Sequence, residues 1–217
     1  LSGFDDVVVA TGVTPRAIDI EGHDHPKVVS YLDVLEGRVS PGAKVAIIGA
    51  GGIGFDVAEF LVEDGPSATL DPQRWMAERG VDANFETPGG LVPAHPEPPA
   101  RKVWLLQRSA GKPGARLGKT TGWIHRATLK AKGVKMLGGV EYLGVDEAGL
   151  HIRVDGSEQT LPVDHVVICA GQESRRGLFD ALQAKGQRSH LTGGARVAAD
   201  LDATRAIAAG RRLAAAP

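Results

Sequence analysis

Gly49, Gly51 and Gly54 stand in the spacing G-x-G-x-x-G, directly after the apolar run Val45–Ile48 and before an amphipathic segment, 55–63. Strand, glycine turn and helix in that order form a cradle for phosphate groups. Gly49 permits a tight turn out of the strand. Gly51 lets the main chain approach a pyrophosphate with no β-carbon in the way, and Gly54 lets the helix pack close to the strand. Ala50, Gly52 and Ile53 complete the turn. The helix N-terminus beyond it offers unpaired N–H groups and a partial positive charge. The competing reading is a glycine turn that binds nothing, and the matching flanks weigh against it.

A second chemical signal sits at the end of the next strand, Lys102 to Leu106. A site for NAD would put Asp or Glu there, to accept the ribose 2′-hydroxyl. This chain has Gln107-Arg108, and no acidic residue occurs from Gln107 to Arg126. Arg108, Lys112, Arg116, Lys119 and Arg126 make that stretch basic. A carboxylate repels a 2′-phosphate, whereas a guanidinium grips it with two hydrogen bonds. The pattern favours NADP(H) over NAD(H), with Arg108 carrying most of the weight and Lys112 less; the alternative is a solvated basic loop. The Gly118-Lys119-Thr120 string looks like a nucleotide-triphosphate loop but lacks the upstream glycine at the required spacing, since position 113 is proline. Thr120 or Thr121 reads instead as the cap of a helix over 122–132.

These residues need a scaffold, and the composition allows one. The chain has 217 residues, 42% hydrophobic and 24% charged, with a net charge of −1. That balance is ordinary for a globular protein and gives no reason to expect nucleic acid or a membrane as a partner. No apolar run approaches the roughly 20 residues that span a bilayer. A single cysteine, Cys169, excludes an internal disulfide and fits a cytoplasmic enzyme; it lies in an apolar strand and reads as inert core. The chain opens on Leu1-Ser2-Gly3 without methionine and enters a strand at once, as a fragment of a longer polypeptide would.

Along the chain, Val7 to Ala10 is a short strand whose turn, Ala10-Thr11-Gly12, falls where α/β sheets bind ligands. His23 and His25 have no further ligand at metal spacing nearby and read as solvated loop residues. Ser30 caps a short helix to Glu36. After Asp64-Gly65-Pro66 comes an insertion, 64–100, crowded with prolines in its second half. One helix is predicted inside it, from Asp71 to Arg79, with Asp71 as cap and Pro72 first. The rest is an ordered or a mobile surface loop. A strand over 134–137 is followed by meander strands 141–145 and 150–154, with Asp155-Gly156 as a hairpin turn. The final strand runs into Cys169-Ala170-Gly171, echoing Ala10-Thr11-Gly12; the repeat suggests two similar sheet domains. A short helix over 177–184, the turn Gly193-Gly194 and a helix over 202–214 close the chain. His125 and His151 read as core or surface histidines rather than catalysts.

Several strings now form a pattern: FDDVVVATG from Phe4, VAIIGAGGIGFDVA from Val45, LLQR from Leu105, LGKTTGWIHR from Leu117 and VVICAGQ from Val166. Together they resemble the C-terminal part of bacterial NADPH-dependent 2,4-dienoyl-CoA reductases, a branch of the old-yellow-enzyme-like reductases, over essentially the whole chain. The resemblance implies an α/β fold, a Rossmann-like three-layer nucleotide-binding domain of the glutathione-reductase-like NADPH type with remnants of an FAD domain. Residues 26–173 would form the NADP(H) domain, and 1–25 and 174–217 the FAD-domain portions. It also implies a partner in the rest of the same polypeptide: an FMN barrel, a 4Fe-4S cluster and the FAD fingerprint, none of it in this chain. Electrons would pass from NADPH to FAD, cluster, FMN and a dienoyl-CoA of fatty acid metabolism. By itself the chain is not expected to hold FAD. Where such families carry a Gly-Asp turn beside the flavin, this chain has Gly193-Gly194, so backbone N–H groups would serve. No catalytic side chain and no metal ligand is expected in this stretch. A competing reading is a structural ADP-binding module, as the equivalent domain of trimethylamine dehydrogenases resembles.

Overall fold

Two strands explain most of the architecture. Val45–Ile48 and Val103–Leu106 are buried on both faces, the pattern of central strands in a covered parallel sheet. The computed structural model describes residues 3–199 and 202–215; the opening Leu1-Ser2 falls outside them. In chain order the strands are β1 (Val7–Val9), β2 (Val13–Pro15), β3 (Val28–Ser30), β4 (Lys44–Ile48), β5 (Lys102–Leu106), β6 (Lys135–Leu137), β7 (Glu141–Asp146), β8 (Gly149–Val154), β9 (Ser157–Leu161), β10 (His165–Ile168), β11 (Gln172–Ser174) and β12 (Ser189–Leu191). The helices are α1 (Tyr31–Leu35), α2 (Gly52–Val62), α3 (Pro72–Arg79), α4 (Gly122–Ala131), α5 (Gly177–Ala184), α6 (Gly193–Arg196) and α7 (Ala203–Ala214).

The chain divides into two units, Ile18–Ala170 and the flanks Leu1–Ala17 with Gly171–Pro217. In the larger unit a five-stranded parallel sheet runs β3-β10-β4-β5-β6. Alternation sorts its side chains. Val45, Ile47, Val103, Leu105 and Val167 meet Phe55, Ala58 and Leu61 of α2 and Leu129 of α4. Ala46, Ile48, Trp104, Leu106, Val166 and Ile168 meet Leu150, Ile152 and Leu161 of the antiparallel sheet β7-β8-β9. The result is three layers: helices, parallel sheet, meander. Each fully buried Leu or Phe contributes roughly 1.5–3 kcal/mol. The hairpin turn at Asp155-Gly156, with both φ positive (50° and 79°), joins β8 to β9 with Val154 paired to Ser157.

The unit begins at Ile18 rather than Pro26, because Ile18 and Ile20 pack on the meander-side core. It ends at Ala170 rather than Glu173, because β11 pairs antiparallel with β2 in the other unit. The insertion 64–100 is tied to the rest of the larger unit by hydrogen bonds. Asp71 accepts from the N–H groups of Gln73 and Arg74 and starts α3 as the sequence predicts. Its far end is tied back by Ala100 N–H to Val62 O (2.9 Å) and by Lys132, whose ammonium donates to Glu97 O (3.1 Å) and faces Glu78 (3.9 Å). Two details differ from expectation. α2 starts at Gly52, three residues ahead of Phe55. Thr121 holds the cap position of α4, but its hydroxyl caps nothing; the N–H of Gly122 bonds Gly118 O instead (2.8 Å).

In the smaller unit β1 pairs parallel with β12, and Val9, Leu182 and Ala195 form its core. Asp6 accepts from Arg188 (2.6 Å) and hydrogen-bonds His190 (2.7 Å); the His190 bond holds its carboxyl below the ordinary range.

Cys169 lies in the larger unit's core beside Val167. Burial pushes its thiol up to about 12, from an ordinary 9.0. In the native protein Cys169 should therefore stay unlabelled by a thiol reagent such as DTNB at pH 8, and become labelled on denaturation. Because the folded value is the raised one, this contribution to stability is whole below about pH 9 and is lost as pH climbs towards 12. Fast labelling of native protein at pH 8 would contradict this.

Candidate nucleotide-binding site

The glycine turn leaves the carboxyl end of β4, at the point where the sheet order reverses: β5 and β6 lie to one side, β10 and β3 to the other. In open α/β sheets, ligands bind at such a point. Gly49 N–H donates to Leu106 O (2.9 Å) and Cys169 N–H to Ile48 O (2.8 Å), so the turn is stitched to both neighbours. Gly49 has φ +113°, and a β-carbon there would sit 2.7 Å from the Cys169 carbonyl and 3.0 Å from Ala170 Cα. A β-carbon at Gly54 would lie 1.8 Å from Gly49 O. These two glycines are therefore needed by the protein's own packing. Gly51 and Gly52 differ: β-carbons there would meet nothing within 4 Å. The open side of the turn lies at Gly51, the N-cap of α2, where the first N–H groups of an 11-residue helix have no intrahelical partner.

The turn after β5 lies alongside, since Ile48 and Leu106 are register partners. Arg108, Lys112, Arg116 and Lys119 are exposed. Arg108 has no hydrogen bond or ion pair among the described residues. Its charge acts on Tyr142, whose phenol is otherwise pushed up by burial. Gly114 packs against the Phe55 ring of α2, and Arg126 donates to Gly114 O (2.8 Å). Arg126 is thus a brace of the basic loop rather than a free cation. His125 braces α4 to α2 through Glu59 (2.8 Å), and His151 sits between Thr160 (2.9 Å) and Asp146 (2.9 Å) on the meander. His25 lies 3.3 Å from Glu147.

The larger unit thus brings together Gly49, Ala50, Gly51, Gly52, Ile53, Gly54 and Ala170, with Gln107 and Arg108 beside them on the turn after β5. Lys112 and Lys119 ride on the same basic loop. Ala10, Thr11, Gly12, Gly171, Gly193 and Gly194 belong to the other unit. There, β1 and β12 run parallel, and Thr192 N–H donates to Val9 O (3.1 Å) at their carboxyl ends. The Thr11 hydroxyl donates to Arg175 O, and Ser174 donates to Gly194 O. The sequence marks Gln107 as a cofactor-site residue, standing where an acid was expected. Its carboxamide in fact donates to Ser109 O (3.0 Å) and Gly111 O (3.3 Å), and Gly138 packs close against that loop.

Among the described residues no group of three or more His, Cys, Asp or Glu is arranged to hold a metal, and no helix is long and apolar enough to cross a membrane. A family model described as pyridine nucleotide-disulphide oxidoreductase matches residues 2–203. The chain belongs to that family. It is similar to a metal reductase of Desulforamulus reducens, 30% identical over 194 residues, covering 88% of this chain and 28% of that protein. Two solved structures share its fold. One is a 2-naphthoyl-CoA reductase in complex with 2-naphthoyl-CoA: TM-score 0.70, 23% identity, 96% of this chain and 26% of that one. The other is histamine dehydrogenase from Rhizobium sp. 4-9: TM-score 0.67, 18% identity, 99% of this chain and 31% of that one. The chain spans less than a third of the length of each.

Proposed function

We propose that this chain is the NADPH-binding part of a cytoplasmic flavin-dependent reductase that acts on a conjugated acyl-CoA thioester of the 2,4-dienoyl-CoA type. The observation that carries the reading is Arg108: an exposed guanidinium without an ion pair among the described residues, on the turn beside the glycine loop, in a stretch with no carboxylate from 107 to 126. The glycine turn fits the pyrophosphate, since the chain leaves the side of Gly51 open. Arg108 and, further along the loop, Lys112 and Lys119 supply the charge that a 2′-phosphate needs. When bound, the nicotinamide supplies a hydride to a flavin. This chain's residues would bind and orient it: the α2 N-terminus would hold the phosphates, the turn after β5 would select the adenosine ribose, and Ala170 bounds the glycine turn on the β10 side. FAD, FMN and a 4Fe-4S cluster belong to the rest of the polypeptide in this reading. Ala10–Gly12, Gly171 and Gly193-Gly194 would line the flavin side. The acyl-CoA assignment draws support from the naphthoyl-CoA reductase likeness and from the strings quoted above.

The test uses the full-length polypeptide under anaerobic conditions. NADPH should bleach the flavin band near 450 nm faster than NADH at equal concentration, and a 2,4-dienoyl-CoA should restore it. No bleaching by either nucleotide overturns the reading. A second reading, favoured by the histamine dehydrogenase likeness over 99% of the chain, makes the site a structural ADP module of an amine dehydrogenase. Stoichiometric ADP released on denaturation, with no response to NADPH, would establish it.

A further inference from the structure

Gln107 does more than vacate the position of an acid. Its backbone N–H donates to Leu137 O (2.9 Å), and its carbonyl accepts from Val140 N–H (3.0 Å). Its side chain then turns back onto its own loop, donating to Ser109 O and Gly111 O (3.0 and 3.3 Å). Both neighbours are carbonyl oxygens, so the group that faces them is the NH2. Gly139 N–H also donates to Ser109 O (2.9 Å). Beneath this loop lies Gly138, where a β-carbon would stand 2.1 Å from Gly111 O. The loop 107–111 is thus folded on itself by the side-chain amide of Gln107, and seated on the 138–139 turn by Gly139 N–H and the bare α-carbon of Gly138.

We propose that Gln107 and Gly138 act as positioning residues for nucleotide selectivity, fixing the main chain that carries Arg108 before the 2′-phosphate arrives. This rests on the reading of Arg108 given above. A long arginine side chain gains affinity when the backbone beneath it is already ordered, because less freedom is lost on binding. Glutamate at position 107 fails twice: it cannot donate to either carbonyl, and it repels the phosphate. Leucine, of similar size, fails only in the first respect, so Gln107→Leu isolates the amide.

The experiment measures NADPH and NADH dissociation constants for the full-length protein and its variants. Gln107→Leu should weaken NADPH about fivefold and leave NADH within about twofold, as loss of modest hydrogen bonds predicts. Gly138→Ala should do the same by lifting the loop. In an Arg108→Ala background Gln107→Leu should add nothing, because its effect passes through Arg108. Equal weakening of NADPH and NADH by Gln107→Leu, or full additivity with Arg108→Ala, overturns the positioning role. If Arg108→Ala by itself leaves the NADPH preference intact, the 2′-phosphate reading fails, and this inference with it.

Discussion

Arg108→Ala should weaken NADPH binding by about ten- to a hundredfold and leave NADH within about twofold. The range follows from losing charge-assisted hydrogen bonds, about 1.5–3 kcal/mol. The effect is selective because Arg108 has no ion pair within the described chain to break. Its removal strands no buried carboxylate and should leave the thermal midpoint within about 1 °C. The site is exposed, so the preference for NADPH should shrink as salt rises from low to about 0.5 M, where the Debye length falls below about 5 Å. Titration calorimetry at two salt concentrations checks both points. A parallel loss of NADH would show that Arg108 supports the fold of the site rather than the phosphate.

The glycine turn gives the second large effect, through a contrast between two alanines. Gly49→Ala forces a β-carbon into a φ of +113° and to 2.7 Å from the Cys169 carbonyl. Strain and overpacking each cost about 1–3 kcal/mol, so the loss is about 2–6 kcal/mol, a large share of the 5–15 kcal/mol that holds a typical domain. Both nucleotides should be lost with the fold. Gly51→Ala has φ −88° and meets nothing within 4 Å. It should cost less than about 1 kcal/mol of stability, as alanine for glycine at an N-cap does, yet still impair both nucleotides by blocking the approach of the pyrophosphate. Urea unfolding beside nucleotide titration separates the two. If Gly51→Ala binds as well as the parent, the pyrophosphate does not lie against that turn.

How much of this was legible in the sequence depended on how local the cause was. Asp71 with Pro72 after it, Ser30 as a cap and Asp155-Gly156 between alternating runs all act within a few residues, and the structure has each where the sequence put it. The buried runs of β4 and β5 were readable because central parallel strands need no alternation. The three-residue strands β2, β11 and β12 carry no period to detect. They form because a partner distant in sequence supplies the ladder, as Glu173 does for Thr14. α2 reaches back to Gly52 although Gly-Ile-Gly is a poor helix opening, because Gly54 must seat against Gly49 O. Gln107 shows the limit at the site itself. Its identity told of a missing carboxylate, but the loop its side chain closes is held by backbone bonds to Leu137 and Val140, about thirty residues later, which no local pattern announces. Arg126, counted among the cations by sequence, proved to be committed to Gly114 O.

If this glycine turn and the basic loop beside it select a nicotinamide dinucleotide by its 2′-phosphate, the protein must tell NADPH from NADH. Titrating the unmodified protein with NADPH and with NADH tests it most directly. The NADPH dissociation constant should lie at least about tenfold below that of NADH, as one charge-assisted contact supplies. Equal affinity for the two, or binding of neither, would contradict it.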